Sequence, residues 1–219
     1  MQLVHDIFVL LRKEAILEWR QKYAIGGILL YVLSTVFVVY IAFVRVDAKT
    51  WNVLFWIIML FASINAVVKS FVQENSRRQL YFYTLAHPTA IILSKIIYNT
   101  LLLGLISILT FAAMSFFTEN MVKEAGLFAL ILFLGSMGFS IAFTFIAAIA
   151  AKANNSATLM AIMGFPVVIP ILLTLVKLSA NALRLITDTS YWRDISILLA
   201  IDVILLTLVI ILFPYLWRD

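Results

Sequence analysis

Six long apolar runs, separated by short polar clusters, divide the chain at roughly 24–44, 51–68, 96–117, 126–151, 157–176 and 195–216. Each run comes close to the ~20 apolar residues that cross a hydrocarbon core about 30 Å thick. A backbone in lipid has no water to bond to, so its polar groups must pair within the segment and the runs are expected as α-helices. The pattern predicts an all-α, polytopic membrane protein with six transmembrane helices in a single domain, 1–219. The boundary between the third and fourth spans is a short break over Thr118–Lys123.

Ahead of the first span, Val4, Ile7, Phe8, Leu11 and Ala15 recur at helical spacing, while Asp6, Arg12, Lys13 and Arg20 fall mostly on another face. This predicts an amphipathic helix over about 1–23, lying in the membrane interface or continuing the first span into water. Trp19 and Tyr23 stand where ring systems favour the headgroup level. These charged and amphipathic residues, with no small-residue cleavage site after the first run, argue for a retained span instead of a removable signal.

The polar stretch over 69–95, KSFVQENSRRQLYFYTLAHPTAIILSK, differs from an ordinary solvated loop. It mixes Glu74, Arg77 and Arg78 with Leu80, Tyr81 and Leu85, and aromatic residues with Arg are the usual anchors of protein interfaces. A short helix held against a partner fits, as does an interfacial re-entry of the third span. Pro88 is expected to end or redirect it, because a proline disfavours the α conformation of the residue before it.

Composition agrees with the spans: 64% of residues are hydrophobic and 12% charged, far from the balance of a soluble domain. The net charge of +5 does not point to nucleic acid, since the basic residues sit at span ends and form no run. With the N-terminus inside, Arg12, Lys13, Arg20, Lys22, Lys69, Arg77, Arg78, Lys95, Lys152 and Arg218 lie inside, against Arg45, Lys49, Lys123, Lys177, Arg184 and Arg193 outside. The positive-inside tendency therefore places both termini in the cytoplasm, and the polar stretch with them.

Within the spans, three groups of residues interrupt the apolar pattern. Gly164, Pro166 and Pro170 lie in GFPVVIP, where each proline removes a donor and crowds a carbonyl, so a kink or local unwinding is expected, as bundle shape or as a moving hinge. Gly135, Ser136, Gly138 and Ser140 form a small-residue run that lets another helix approach. Asn65, Asn99 and Asp202 are the intramembrane polar candidates, with Asp202 expected to pair with a Lys or Arg or to reach shallow water.

Catalytic chemistry is hard to build from this chain. It has no cysteine, which excludes disulfides, thiolate metal sites and thiol catalysis. No phosphate-binding loop, H-E-x-x-H or G-x-S-x-G occurs. The two histidines, His5 and His87, have no companions at metal-ligand spacing, so no metal site and no catalytic residue is expected. Six spans, an interfacial helix, a cytoplasmic interaction segment and no engine of its own make up the membrane half of an ABC transporter, by analogy of architecture.

Two stretches carry a closer likeness. Phe71, Glu74, Leu80, Leu85, Pro88 and Lys95 stand at the spacings of an F-x-x-[DE] … L-x-x-L-x-x-P … K pattern, allowing one residue of slack. Lys152, Leu159, Pro166, Pro170, Ile171 and Leu172 follow K … L … P-[LV]-x-[IV]-P-[IVL]-L, with the Gly135, Ser136, Gly138 run ahead of them. In both, and over nearly the whole length, the chain resembles the CcmB family, permease subunits of the ABC-type cytochrome c maturation system. Arg78 and Gln79 depart from the Gly-Ser or Gly-Thr that the family commonly has before the leucines.

The resemblance implies an ABC-2-like permease architecture in the bacterial inner membrane, working as a homodimer. It implies a CcmA-like ATP-binding subunit as partner, together with CcmC, CcmD and CcmE-like proteins. ATP would act through the partner subunit, no cofactor would be bound directly, and heme is the possible substrate, exported or released on its chaperone. The ATPase-coupling residues would be Glu74, Arg77, Arg78, Leu80, Tyr81, Leu85 and Pro88. Two readings of other kinds remain at this point: an autonomous secondary transporter or channel lined by Asn65, Asn99 and Asp202, and a non-transporting assembly scaffold.

Overall fold

The computed structural model describes residues 2–20, 22–43, 45–72, 87–150, 156–186 and 191–218. Among the described residues the structure is entirely helical, in seven helices: α1 (Gln2–Arg20), α2 (Lys22–Ala42), α3 (Ala48–Val72), α4 (Pro88–Thr118), α5 (Ala125–Ala150), α6 (Ser156–Ala182) and α7 (Tyr191–Arg218). Five of them hold stretches long and apolar enough to cross a membrane: Ala48–Val67, Pro88–Thr118, Ala125–Ala150, Ile162–Ala182 and Tyr191–Tyr215. The first predicted span falls on α2, whose apolar part, Gly26–Ala42, is shorter. At 1.5 Å per residue the 21 residues of α2 are about 30 Å long.

Helices α2 to α7 run alternately up and down. The C-terminal end of α2 meets that of α4 through Tyr40 and Phe117, whose ring centroids are 5.7 Å apart. At the same level Trp51, early in α3, faces Phe128, early in α5, at 6.1 Å. The end of α6 joins the start of α7 through Lys177 and Asp194. At the opposite end, Ala90 and Ile91 of α4 pack with Leu10 and Ile7 of α1. One end of the bundle thus carries α1, the end of α3 and the start of α4, and the other carries the ends of α2, α4 and α6 and the starts of α3, α5 and α7.

Local chemistry sets the helix ends. Asp47 caps α3, its carboxylate accepting from the backbone N–H of Thr50 at 3.2 Å and from the Thr50 hydroxyl. Those bonds hold the exposed Asp47 carboxyl below its ordinary pKa of 3.8. Pro88 begins α4, where its missing N–H costs nothing, and His87 before it is extended at φ −66°, ψ 135°. Arg184, at φ 55°, closes α6 while the Leu185 N–H bonds the Ala180 carbonyl at 2.9 Å.

Several boundaries move relative to the pattern-based reading, among them the end of α6, at Ala182 instead of 176, and the start of α7, at Tyr191 instead of 195. Helix α3 continues to Val72 and α4 starts at Pro88, so the ends of the 69–95 stretch are helical. Lys95 ended the apolar count, but it lies inside α4 with its charge paired, so the helix begins eight residues before the predicted 96. The N-terminal helix forms as expected and is docked on α4 through Leu10, Ala90 and Ile91. Phe8, Val9 and Ile16 face outward from it, the apolar face that an interfacial helix presents to lipid.

Helix α5 is the axis of the bundle, packed against α3, α4, α6 and α7. Its small residues do what their spacing predicted. A Cβ on Gly135 would lie 2.8 Å from the Trp56 ring of α3 and 3.1 Å from Leu175 of α6. One on Gly138 would lie 2.8 Å from an Asp202 oxygen of α7 and 3.2 Å from Ile171 of α6. Close approach in lipid rests on such positions, because apolar surface gains little by leaving hydrocarbon for protein.

Candidate functional site

Glu74, Arg77, Arg78, Leu80, Tyr81 and Leu85 lie outside the described residues. Pro88 is described, as the first residue of α4. Beside it the His87 Nδ1 and Thr89 hydroxyl are 2.7 Å apart, a bond that fixes the ring where the chain turns into the helix. From Pro88 the chain runs as a continuous helix of 31 residues.

Two turns further, Lys95 is nearly enclosed, with 3% of its side chain exposed, and its Nζ lies 3.4 Å from Glu14 Oε1 of α1. Lys13 reaches the same carboxylate at 3.6 Å. A buried cation needs a partner, because removing it from water costs several kcal/mol per ion. The pair therefore fixes α1 in register on α4, 81 positions away in sequence.

The predicted hinge lies on α6. Gly164 is buried, with Phe143 and Ile146 of α5 next to where its Cβ would be. Pro166 and Pro170 point away from the bundle, and the residues inward of them, Val168 and Ile171, are in the core. The helix runs unbroken from Ser156 to Ala182, so the local unwinding expected there does not occur. Outward-facing rings need no space between packed helices, and a span tolerates them for that reason.

The intramembrane polar residues are not brought together. Asn65 is exposed on α3 and donates only to the Phe61 carbonyl of its own helix, at 2.9 Å. Asn99 is buried between α4 and α5 and donates to Thr144 Oγ1 at 2.9 Å, beside Ser140, whose hydroxyl donates to the Ile96 carbonyl at 2.8 Å. Asp202 approaches a different face of α5, at Gly138. The expected pairing of Asp202 with a cation is overturned. It is 1% exposed, and neither carboxyl oxygen has a hydrogen-bond partner among the described residues. The cation in range of α7, Lys177, is taken by Asp194 at 2.8 Å. Asp194 stands eight residues nearer the helix start, about 12 Å closer to the level of Lys177.

At the end away from α1, the structure assembles a lock that sequence reasoning missed. Trp51 Nε1 donates to Thr118 Oγ1 at 3.0 Å, and Trp56 Nε1 donates to Ser179 Oγ at 2.7 Å. Asn52 Nδ2 donates to the Val176 carbonyl at 2.8 Å, and its Oδ1 lies 2.6 Å from the Ser179 hydroxyl. Around these bonds Trp51 and Phe55 stack at 5.5 Å, with Phe111 and Phe128 against them. Each such hydrogen bond contributes a net ~0.5–1.5 kcal/mol, and each ring pair a comparable amount beyond burial. The available signal was W-N-x-x-x-W at the head of a span, which shows aromatic residues with polar handles but not their partners.

Among the described residues no group of three or more acidic, histidine or cysteine side chains could hold a metal. The family model described as CcmB protein matches residues 5–215. No curated protein and no solved structure matches the chain.

Proposed function

The chain belongs to the CcmB family, and from that premise we propose that this multi-pass membrane protein is the permease subunit of an ABC-type complex for cytochrome c maturation. In this reading six helices, α2 to α7, cross the bacterial inner membrane in an ABC-2-like arrangement, as one domain with both termini in the cytoplasm. A CcmA-like subunit hydrolyses ATP, and CcmC, CcmD and CcmE-like proteins complete the assembly around two copies of the permease. The chain itself is non-catalytic and binds no cofactor directly. The output is export of heme or release of its loaded chaperone, with mechanical coupling favoured over conduction through the bundle.

The observation that carries the mechanism is that α3 ends and α4 begins at the end of the bundle where α1 docks, with the coupling pattern of 73–86 between them in sequence. There Glu74, Arg77 and Arg78 orient the segment, and Leu80, Tyr81 and Leu85 fill a groove of the ATPase. Movement of the segment passes through Pro88 into α4 and on to α5, against which α4 packs. ATP can drive such a shift only through contacts that differ between the two states of the ATPase dimer. The separation of Asn65, Asn99 and Asp202 supports this reading over a solute path lined by all three.

The test is the double variant Tyr81→Asp with Leu85→Asp. It is expected to insert into the membrane while losing co-purification with the ATPase and cytochrome c assembly. Normal co-purification with normal assembly overturns the coupling role.

A further inference from the structure

At the end away from α1, a cleft of about 640 Å³ opens between the C-terminal ends of α2 and α4. That volume lies within the range of small-molecule sites, roughly 300–1,000 Å³. Tyr40, Phe43 and Phe117 form its aromatic wall, and Arg45, Asp47 and Glu119 its charged rim. The wall is held in place from behind, where Phe37 meets Phe117 edge-on at 6.1 Å. Thr118 also lines the cleft, but its hydroxyl is committed to the Trp51 indole and the Met114 carbonyl.

The rim is built rather than incidental. Asp47 is fixed by its bonds to Thr50 at the start of α3. Glu119 has φ 77° and ψ 153°, a backbone conformation that a residue with a side chain rarely adopts and that recurs where a site demands it. The cleft therefore offers one cation and two carboxylates beside three rings. A guanidinium recognises a phosphate, and carboxylates with aromatic faces recognise an ammonium.

Apolar helix faces run from this cleft into the span region, with Phe37 and Ile41 exposed on α2 and Phe116 exposed on α4. A ligand that suits the whole feature has a phosphate and an ammonium in its head and hydrocarbon in its tail. We propose that the cleft binds a single zwitterionic phospholipid, with its phosphate on Arg45, its primary ammonium between Glu119 and the rings of Tyr40 and Phe117, and its acyl chains along α2 and α4. A phosphatidylethanolamine fits best, because its ammonium keeps N–H donors for the carboxylate. Phosphatidylcholine keeps the phosphate, the charge and the contact with the rings but has no N–H for the carboxylate, and phosphatidylglycerol has no cation. The inference does not depend on ATPase coupling or on which side of the membrane this end faces.

The test is native mass spectrometry of the full-length chain in detergent, with equal amounts of phosphatidylethanolamine, phosphatidylcholine and phosphatidylglycerol added. Retention is expected in that order, with the first held about tenfold over the last, a difference of ~1.4 kcal/mol. Arg45→Gln with Glu119→Gln should abolish the preference, while Arg45→Lys keeps most of it. Equal retention of the three lipids by the unaltered chain, or a preference that survives the double variant, overturns the site. If the double variant does not fold, the ranking on the unaltered chain decides alone.

Discussion

The two ends of the bundle are held by different means. At the end away from α1, three helices are tied by neutral hydrogen bonds of Trp51, Asn52 and Trp56 within a stack of aromatic rings. At the other end, α1 is fastened to α4 by a small apolar contact around Leu10 and an enclosed ion pair, Glu14 with Lys95. Neutral bonds inside a ring stack do not depend on what lies beyond the membrane. A buried charge pair breaks as a unit when either partner is drawn elsewhere, and that suits an end that, in the proposed function, responds to a partner. The difference places rigidity at one end and conditional contact at the other.

The comparison can be broken first at the rigid end. Trp56→Ala removes a fully buried ring, its bond to Ser179 and the filling against Gly135. A loss of about 3–5 kcal/mol is expected from such a truncation, read as a large fall in the thermal unfolding temperature in detergent. A fall no larger than that of an exposed control such as Leu101→Ala would remove the lock from the account.

A second experiment acts on the other end. Lys95→Met leaves Glu14 enclosed without its α4 partner, and breaking one side of a buried pair costs on the order of 3–5 kcal/mol, less here because Lys13 is also within reach. The loss should be local. Hydrogen exchange is expected to rise over 2–20 and at the start of α4 while Trp51–Trp56 stays protected. Uniform deprotection would mean that the two ends are one cooperative unit. Between these lies Gly138→Ala, whose methyl would meet Asp202 at 2.8 Å, with an expected loss of about 1–3 kcal/mol. Because the atom met is the end of a side chain, Asp202→Ala should recover part of that loss in the double variant.

The smallest effect concerns Asp47. Its folded pKa lies below 3.8, so it contributes stability above that value and loses it as pH falls through the lowered folded pKa. The difference in unfolding temperature between the unaltered chain and Asp47→Ala should be present at neutral pH and shrink below about pH 4. A difference that grows on acidification would contradict the cap.

Most of the fold was legible because lipid leaves the backbone so few choices. The helices fall where the apolar runs are, and the small-residue run of α5 announced a packed helix before any neighbour was known. Legibility failed where a side chain's meaning lies in a distant partner. Lys95 reads as a loop cation until Glu14 is placed beside it, and Trp51 reads as an interfacial anchor until Thr118 supplies its acceptor. Asp202 failed in the opposite sense: a charge in a span implies a partner, and the nearby lysine is bound to Asp194 instead. The coupling residues Glu74 to Leu85 were legible as a pattern, and they lie outside the described residues.

The position of α5 also bears on how the protein is made. It is the fourth of the six apolar helices to leave the ribosome, and α6 and α7, which pack on it, come after it. During synthesis, then, α3 and α4 already have their central neighbour when α5 arrives, while its remaining two faces wait in the bilayer for the end of the chain. Gly138 and its neighbours form a surface on which the last third of the protein can settle without rearranging what was built before. A stalled chain released before α7 would leave Gly138 covered by Ile171 of α6 but open on the side that Asp202 fills, a mark by which membrane quality control could tell it from the finished bundle.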